Sequence, residues 1–546
     1  MAMQSVKTPF TNMSFTPDVP SSSLQANEYN TGANVETDVR SIKSVAGDQY
    51  ILSGVPGNII FVTSGFDVNG TFWFVVATNQ GNWYAIDDAG YTNVTPANGT
   101  FTGYSVHTAI TASWNGGVVF LNDQINPPMY FQPGVYSQIR LYDYPPDNYV
   151  WNYDVGYDSV GNVVPLYSNL TSGFVRVFNS PNLGSLLVAG NFTGNINANV
   201  VPNGGTVQNL PTSVRWSQNF GLNAGPTTWA PTATNVANQV EMPVRGYVVD
   251  GFPLNGNFYI CSYWDTCVMS PIAYQSSTAP VFGIKLVNQG RGMLNENCWV
   301  NVDNVVFGLD ARDIWQFDGG NFKAVGNQRV KDYFYNNLNS NYNDQIFMTH
   351  NSSKYQIEIY YPDLNSTGRC NQMLSYRYDL DVWQPPRAVS AATQATEAPV
   401  FTANVPNIAT RTVIYSTYNA DSVGNCHLVQ KDVGTSFLGN AITSLFQRNN
   451  ISYGQPYSAS VLVHRVLPEI YGTGNVDITI GGADSVDSDP TFKPTQTMVI
   501  DTANPWVQID QNEYRVITMK LGTTSSTDAW QLSAANWQVT VVQDTH

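Results

Sequence analysis

The sequence predicts an all-β protein, an irregular β-propeller of about six or seven blades with an N-terminal arm and a C-terminal β-sandwich-like appendage. Three observations lead to this prediction. Short runs rich in β-branched and aromatic residues recur along the chain, separated by Gly, Pro, Asn and Asp turns. The runs form hairpin-like units that return about every 35–50 residues, a period typical of propeller blades. Long helical patterns are few.

Length and composition narrow the function classes. A chain of 546 residues exceeds one ordinary domain, so two or three domains, or a propeller with an appendage, are expected. A net charge of −16 argues against a general nucleic-acid binder, which carries a basic stripe. The absence of a long apolar run predicts no membrane span, and the first residues lack the apolar segment of a standard secretion signal.

Residues 1–48 are predicted to be an extended N-terminal arm that leads into the body. The segment is polar and irregular, with Pro, Ser and Asn throughout. Val35, Val39, Ile42 and Val45 have a spacing close to a helical turn, but all four are β-branched. A short helix across them therefore stays open as an alternative.

Residues 49–432 are predicted to form the propeller body. Alternating apolar positions at 72–76 precede a polar turn and a returning aromatic strand, and 107–134 repeats this order. The rhythm breaks at about 137–182, which is rich in Tyr, Asp and Pro. We interpret that stretch as an insertion, with a long loop between blades as the alternative.

The clearest unit of the body is residues 298–322. Its apolar residues alternate, a polar turn follows at 310–313, and an Asp-Gly-Gly-Asn turn leads into another short strand. Residues 325–339 change rhythm, because Val330, Phe334 and Leu338 share one face of a short helix. The alternative is a lone hairpin of a β-sandwich.

Residues 433–546 are predicted to be a C-terminal, β-rich appendage. Ile442, Leu445 and Phe446 indicate a short helix at 439–449. Strongly alternating segments follow, which favour a docked β-sandwich-like unit.

The cysteines indicate neither a disulfide framework nor a zinc site. There are five, and Cys261 and Cys267, six positions apart, match no metal-binding spacing. We expect reduced cysteines that serve as small apolar residues, with a local disulfide between these two as the alternative.

No catalytic, cofactor-binding or metal-binding residue is predicted. The histidines form no metal-ligand spacing, and Cys426 and His427 are adjacent strand residues that should point to opposite faces. The short Gly290-Arg291-Gly292 is insufficient for a phosphate-binding loop. We therefore predict no enzyme and no cofactor.

Paired carboxylates are a further candidate for catalysis, because propellers host glycosidases, which need two carboxyl groups roughly 5–10 Å apart. The candidates are Asp310 with Asp313, Asp379 with Asp381, and Asp363. All lie at turns, where Asp commonly shapes the backbone.

A second group of carboxylates was weighed as a cation site. Asp484, Asp487 and Asp489 offer oxygen ligands for Ca²⁺, but the segment lacks the Gly and the closing Glu of an EF-hand loop. A solvated acidic loop is the alternative, and the sequence leaves ion binding there open.

Four segments, in order, resemble one family. They are residues 17–47, the Arg-Trp-Ser strand and Trp loop at 214–229, the blade and helix at 290–334, and the Tyr-to-Trp strand at 374–384. In this order they resemble the tail nozzle proteins of short-tailed bacteriophages, also called tail tubular protein B or tail stabilisation proteins. The resemblance is thinnest at 137–182 and in the C-terminal appendage.

The resemblance implies a structural virion protein of the tail, assembled in the host cytoplasm. It implies a homohexameric ring below the portal and the adaptor, which continues the genome-ejection channel. The implied partners are the adaptor, tail fibres or tailspikes, and double-stranded DNA that passes without specific binding. An acidic or neutral wall would let DNA slide, and abundant aromatics suit permanent subunit contacts.

Two other functions remain open. A glycan-binding or glycan-hydrolysing propeller would show a pocket with converging carboxylates and aromatics. A tail fibre or adhesin component would show trimeric assembly and fibrous repeats.

Overall fold

Antiparallel β-sheets dominate the computed structural model. The structure describes residues 3–152, 155–157, 163–165, 170–194, 208–272, 281–453, 459–500 and 506–543. The predicted all-β class is confirmed, because helices in these ranges are short. They are one α-helix, Lys331–Asn337, and three 3₁₀ turns, Ser21–Ser23, Ser340–Gln345 and Ser352–Lys354. Among the described residues, no helix is long and apolar enough to cross a membrane.

Five four-stranded sheets follow one another along the chain, and each strand pairs antiparallel with the next in sequence. The alternating, turn-bounded runs of the sequence explain this meander pattern. The strands are, in sheet 1, Ile59–Phe66, Phe72–Thr78, Trp83–Asp87 and Gly90–Asn93; in sheet 2, Thr111–Asn115, Val118–Asn122, Met129–Phe131 and Arg140–Leu141; in sheet 3, Ser172–Ser180, Gly184–Gly194, Gln208–Trp216 and Asn238–Glu241; in sheet 4, Val248–Leu254, Asn257–Ser262, Asp265–Pro271 and Phe282–Gln289; in sheet 5, Trp299–Val302, Val305–Leu309, Ile314–Phe317 and Phe322–Ala324.

Sheet 6 has nine strands and joins distant parts of the chain. Its N-terminal strand, Asp48–Pro56, pairs antiparallel with Asn425–Lys431. The sheet therefore holds together the two ends of the segment that contains sheets 1 to 5. Its strands, in spatial order, are Phe347–Asn351, Gln356–Tyr361, Cys370–Arg377, Val382–Thr402, Val405–Ala420, Asn425–Lys431, Asp48–Pro56, Ser436–Phe437 and Asn440–Ala441.

Two six-stranded sheets combine the C-terminal residues with the N-terminal segment. Sheet 7 contains Val507–Tyr514, Ala459–Thr473, Ala529–Gln543, Ser41–Ser44, Val35–Asp38 and Gln4–Pro9. Sheet 8 contains Thr31–Ala33, Ser444–Ile451, Val516–Thr523, Asn475–Ala483, Thr491–Phe492 and Gln496–Val499. Two small pairs, Ser14–Phe15 with Glu28–Tyr29 and Val155–Tyr157 with Val163–Pro165, complete the strands.

The alternative of a helix across Val35 to Val45 and the predicted short helix at 439–449 are both wrong. Val35–Asp38 and Ser41–Ser44 form an antiparallel pair, and 439–449 contributes strand Ser444–Ile451 rather than a helix. Phe446 is buried in that strand between two neighbouring strands, so sheet pairing overrides the helix-like spacing. The N-terminal segment is extended, as predicted, but it is built into sheets 7 and 8 rather than lying apart.

The prediction for residues 298–339 is confirmed. Sheet 5 has its polar turn at 310–313 and its Gly turn at 318–321, and Lys331–Asn337 lies inside the predicted helix. The boundaries of the insertion at 137–182 are too wide, since Arg140–Leu141 and Ser172–Ser180 are strands of sheets 2 and 3. Residues 153–154, 158–162 and 166–169 of that stretch lie outside the described residues.

All five cysteines are free and buried, as expected, so the local disulfide is wrong. Cys261 lies opposite Thr266 and Cys267 lies opposite Ile260 in sheet 4. Neighbouring strand positions face opposite sides of a sheet, and the two thiols accordingly enter different hydrophobic clusters.

The largest hydrophobic cluster unites the N-terminal segment with sheets 4 to 8. Phe10 and Tyr29 of the N-terminal segment contact Phe446 of sheet 8 at ring-centroid distances of 5.5 and 5.0 Å. Trp537 of sheet 7 and Leu309 of sheet 5 belong to the same cluster. The N-terminal residues are thus part of the core.

Candidate functional site

The carboxylates weighed as catalytic pairs have structural partners. Arg291 donates to Asp310 at 3.1 Å and to Asp313 at 3.2 Å, which ties the turn of sheet 5 to the end of sheet 4. Asp310 also accepts the backbone N–H groups of Arg312 and Asp313 at 2.7 and 2.8 Å. This is the turn-shaping role that the sequence position favours.

Asp379, Asp381 and Asp363 are likewise engaged. Arg377 donates to Asp379 at 2.6 Å, and Arg329 donates to Asp381 at 2.8 Å. Asp363 accepts the side-chain amide of Asn371 at 2.8 Å. The structure therefore gives each carboxylate a defined cation or amide partner.

The acidic loop with Asp484, Asp487 and Asp489 does not bring these carboxylates together as metal ligands. No group of three or more His, Cys, Asp or Glu side chains in the described ranges has an arrangement that could hold a metal ion. Asp487 and Asp489 line a polar cleft of about 370 Å³ beside sheet 8.

His427 and Cys426 point to different surroundings, as predicted. His427 Nε2 lies 2.9 Å from Asp421 Oδ2, and the Cys426 thiol is buried in a separate hydrophobic cluster. The hydrogen bond from His427, with backbone N–H groups, lowers the pKa of Asp421 to about 2. The pair lies at the turn between strands Val405–Ala420 and Asn425–Lys431 of sheet 6.

A polar site with aromatic walls lies where four segments of the chain meet, and we call it the junction pocket. Its volume is about 670 Å³. Tyr104 comes from the connection after sheet 1, Tyr342 from the 3₁₀ turn before sheet 6, Arg369 from a loop of sheet 6, and Tyr418 from strand Val405–Ala420. No Asp or Glu occurs among its described lining residues.

Arg369 is the charged group of the junction pocket. Its guanidinium lies 4.5 Å from the ring centroid of Tyr418, and Nη1 donates to the side-chain carbonyl of Gln345. Burial lowers the pKa of Arg369, because removal from water disfavours the cation. Asp344, which acts on Arg369 electrostatically, is itself paired with His107 at 2.7 Å.

Hydrogen bonds hold the pocket wall in place. Trp83 Nε1 donates to the Tyr104 hydroxyl at 2.9 Å, and that hydroxyl donates to Asp123 at 2.9 Å. The Tyr342 ring stacks on His107 with centroids 6.1 Å apart. Gly368 has a φ of +124°, and a Cβ there would lie 3.0 Å from Tyr342, so a side chain would crowd the wall.

A second polar centre joins sheets 2 to 5. Arg176 donates to Asp250 at 2.9 Å, and Trp299 Nε1 donates to the same carboxylate at 2.8 Å. Gln124 donates to Glu296 at 2.9 Å. Burial, the largest cause, raises the pKa of Glu296 to about 7, and the negative charge of Asp250 adds to the effect.

Replacing Glu296 with glutamine is expected to raise the free energy of unfolding at pH 8 by about 1–2 kcal/mol. This figure is smaller than the pKa shift alone would give, because solvent screens a side chain that is partly exposed. The folded chain binds more protons than the unfolded chain between the ordinary pKa of 4.5 and about 7. The wild-type protein therefore loses stability as pH rises through this window, and the variant does not. Urea unfolding from pH 4 to 8 measures the difference.

The exposed Glu241→Gln is the matched control and should leave the pH profile unchanged. A Glu296→Gln profile that parallels the wild type would show that this carboxyl ionises normally in the folded chain.

Sequence reasoning missed the junction pocket. Its residues come from positions 104 to 419, and no local spacing links them. Arg369 lies in a Thr-Gly-Arg-Cys segment that matches no motif. Only the long-range pairing of the sheets brings it beside Tyr418.

Comparisons with known proteins give no family. No protein-family model matches the chain, and no curated protein matches it. Similar solved structures include the computationally designed Ika8 protein, with TM-score 0.33 and 10% identity over 69% of this chain and 98% of that one. BBS1N in complex with ARL6DN has a TM-score of 0.37 and 8% identity, over 73% of this chain and 100% of that one. A chain of the mitotic checkpoint complex has a TM-score of 0.35 and 7% identity, over 70% of this chain and 94% of that one. Similarity at this level carries no argument about function.

Proposed function

We propose that the chain is a structural subunit of a bacteriophage tail nozzle, and that six copies form a ring that extends the DNA-ejection channel below the portal and the adaptor. The observation that carries the proposal is the resemblance of four segments, in order, to nozzle proteins. The sheet order is compatible with it, since five four-stranded sheets lead into sheet 6, where Asp48–Pro56 pairs with Asn425–Lys431. On this proposal, that pairing closes the propeller body.

On this proposal the body is an irregular propeller. Sheets 1 to 5 are then five blades. Sheet 6 supplies one or two more, because its two long strands, Val382–Thr402 and Val405–Ala420, can each belong to two neighbouring blades. Sheets 7 and 8 are the appendage, and they take up the N-terminal segment.

The segments that resemble nozzle proteins form structural contacts. Trp383 Nε1 donates to the backbone carbonyl of Val325 at 3.0 Å, which joins the resembling segments at 374–384 and 290–334. Trp229 packs edge-on against Trp151 with centroids 4.7 Å apart. These buried tryptophans explain why aromatic residues mark the resembling segments.

The charge balance supports a channel role. The net charge of −16 is compatible with a channel wall that carries few unpaired cations, past which DNA could move. The partners proposed are the adaptor above the ring, tail fibres or tailspikes around it, and DNA within it. The location proposed is the tail of the virion, after assembly in the host cytoplasm.

The test is the position of the protein in virions of the phage that encodes it. Antibodies raised against the purified chain should label the tail tip, and particles made without the chain should package DNA but lose it. Label on fibres, or virions that contain none of the chain, would overturn the proposal. An antibody against the major capsid protein provides the control for labelling.

A further inference from the structure

The junction pocket has the size and walls of a ligand site. About 670 Å³ is within the usual range for small-molecule pockets, roughly 300–1,000 Å³. Hydrogen bonds fix Tyr104, and ring stacking holds Tyr342, so the wall is formed before any ligand arrives. Such preorganisation lowers the entropic cost of binding.

The chemistry of the wall favours a saccharide. Tyr342 and Tyr418 line the pocket, and the ring surface that His107 and Arg369 do not already cover can pack against the C–H face of a sugar ring. Asn371 and Asn419 add amide groups near the same space, and Asn419 already donates to the Ser390 hydroxyl at 3.1 Å. A mixed aromatic and amide lining suits a ligand that has both apolar faces and hydroxyl groups.

The charge of the pocket favours an anion. Arg369 is half-buried, and its hydrogen bond to Gln345 and its contact with Tyr418 are to neutral groups. The nearest acidic group that acts on it, Asp344, is paired with His107, and Asp363 accepts the amide of Asn371. No direct salt bridge to Arg369 occurs among the described residues, so its guanidinium can pair with an anionic ligand, and the arginine fork matches a carboxylate.

We infer that the junction pocket binds a saccharide that carries a carboxylate, with Arg369 as the carboxylate-recognising group and Tyr342 and Tyr418 as the walls for the sugar ring. The chemical class is a hexuronic acid, either as the free monosaccharide or as a residue of an acidic polysaccharide. This binding function is independent of the nozzle proposal, since it needs only a single folded chain.

Titration calorimetry of the full chain with galacturonate, trigalacturonate and the neutral sugar galactose tests the inference. The acidic ligands should bind at least about tenfold more tightly than galactose, because one charge-assisted contact contributes this much. Tighter binding of trigalacturonate would identify a polysaccharide as the source, and equal binding would identify the free sugar.

Variants separate recognition from folding. Arg369→Gln should weaken galacturonate binding about tenfold or more and leave galactose binding unchanged. Arg411→Gln is the matched control. The Arg411 guanidinium lies 5.6 Å from the Phe66 ring centroid, outside the junction pocket, so this variant should bind galacturonate and galactose as the wild type does. If Arg369→Gln fails to fold, Asn419→Trp at the exposed rim should block both sugars without disturbing the core.

Three results would overturn the inference. They are no galacturonate binding to the folded wild type at millimolar concentration, equal affinity for galactose and galacturonate, or binding that survives both Arg369→Gln and Asn419→Trp. Inorganic phosphate that bound more tightly than galacturonate would assign the pocket to phosphate and would also overturn the sugar assignment.

Discussion

Replacing Arg387 with methionine is expected to lower the free energy of unfolding by about 3–5 kcal/mol. The Arg387 and Asp48 side chains are 2% and 1% exposed, and they form a salt bridge between two strands of sheet 6. Arg387 also donates to Asp432 at 2.6 Å and to the backbone carbonyl of Ala46 at 3.0 Å. Without the guanidinium, buried carboxylates and a carbonyl lose their partner. Urea unfolding at pH 7 measures the loss.

Lys7→Met provides the control for this measurement. Lys7 and Glu469 form a salt bridge at 2.7 Å with side chains 55% and 29% exposed, and such pairs contribute about 0–1 kcal/mol. If Arg387→Met proved no more destabilising than Lys7→Met, the buried pair would not be what fixes Asp48–Pro56 in sheet 6.

Replacing Phe446 with alanine is expected to destabilise the protein by about 3–5 kcal/mol. Phe446 is fully buried in sheet 8, and its ring contacts Phe10 and Tyr29 edge-on. The substitution leaves a cavity between the N-terminal segment and sheet 8. A lower midpoint in urea, together with faster proteolysis in the first 45 residues, is the expected result.

Phe492→Ala is the matched control, since Phe492 is 40% exposed in the same sheet and should cost about 1 kcal/mol or less. Equal effects of the two substitutions would contradict the docking of the N-terminal segment on sheet 8.

Local patterns predicted the elements whose partners are close in sequence. Alternation and the turns of sheet 5 were sufficient for residues 298–322, because each strand pairs with its neighbour. The pairing of Asp48–Pro56 with Asn425–Lys431 has no local signal. Ser444–Ile451 was misread as a helix because Ile442, Leu445 and Phe446 also fit that spacing, and only the flanking strands decide between the two.

Buried charges were the least predictable feature. No sequence pattern marks Lys431 or Glu358 as buried, yet the two form a salt bridge at 2.6 Å with 1% and 0% exposure. Charged residues are rarely buried unless they are paired, and the partner of each lies tens of residues away or more. The junction pocket could not be predicted either, because its lining residues are also far apart in the sequence.

The native mass of the purified chain, measured together with negative-stain class averages of the same sample, tests whether identical subunits form a ring. We expect a particle of about six times the 60.0 kDa chain mass, with six-fold symmetry and a central hole, formed alone or on addition of the adaptor. A particle with the mass of one chain at every concentration, with and without the adaptor, would contradict the ring.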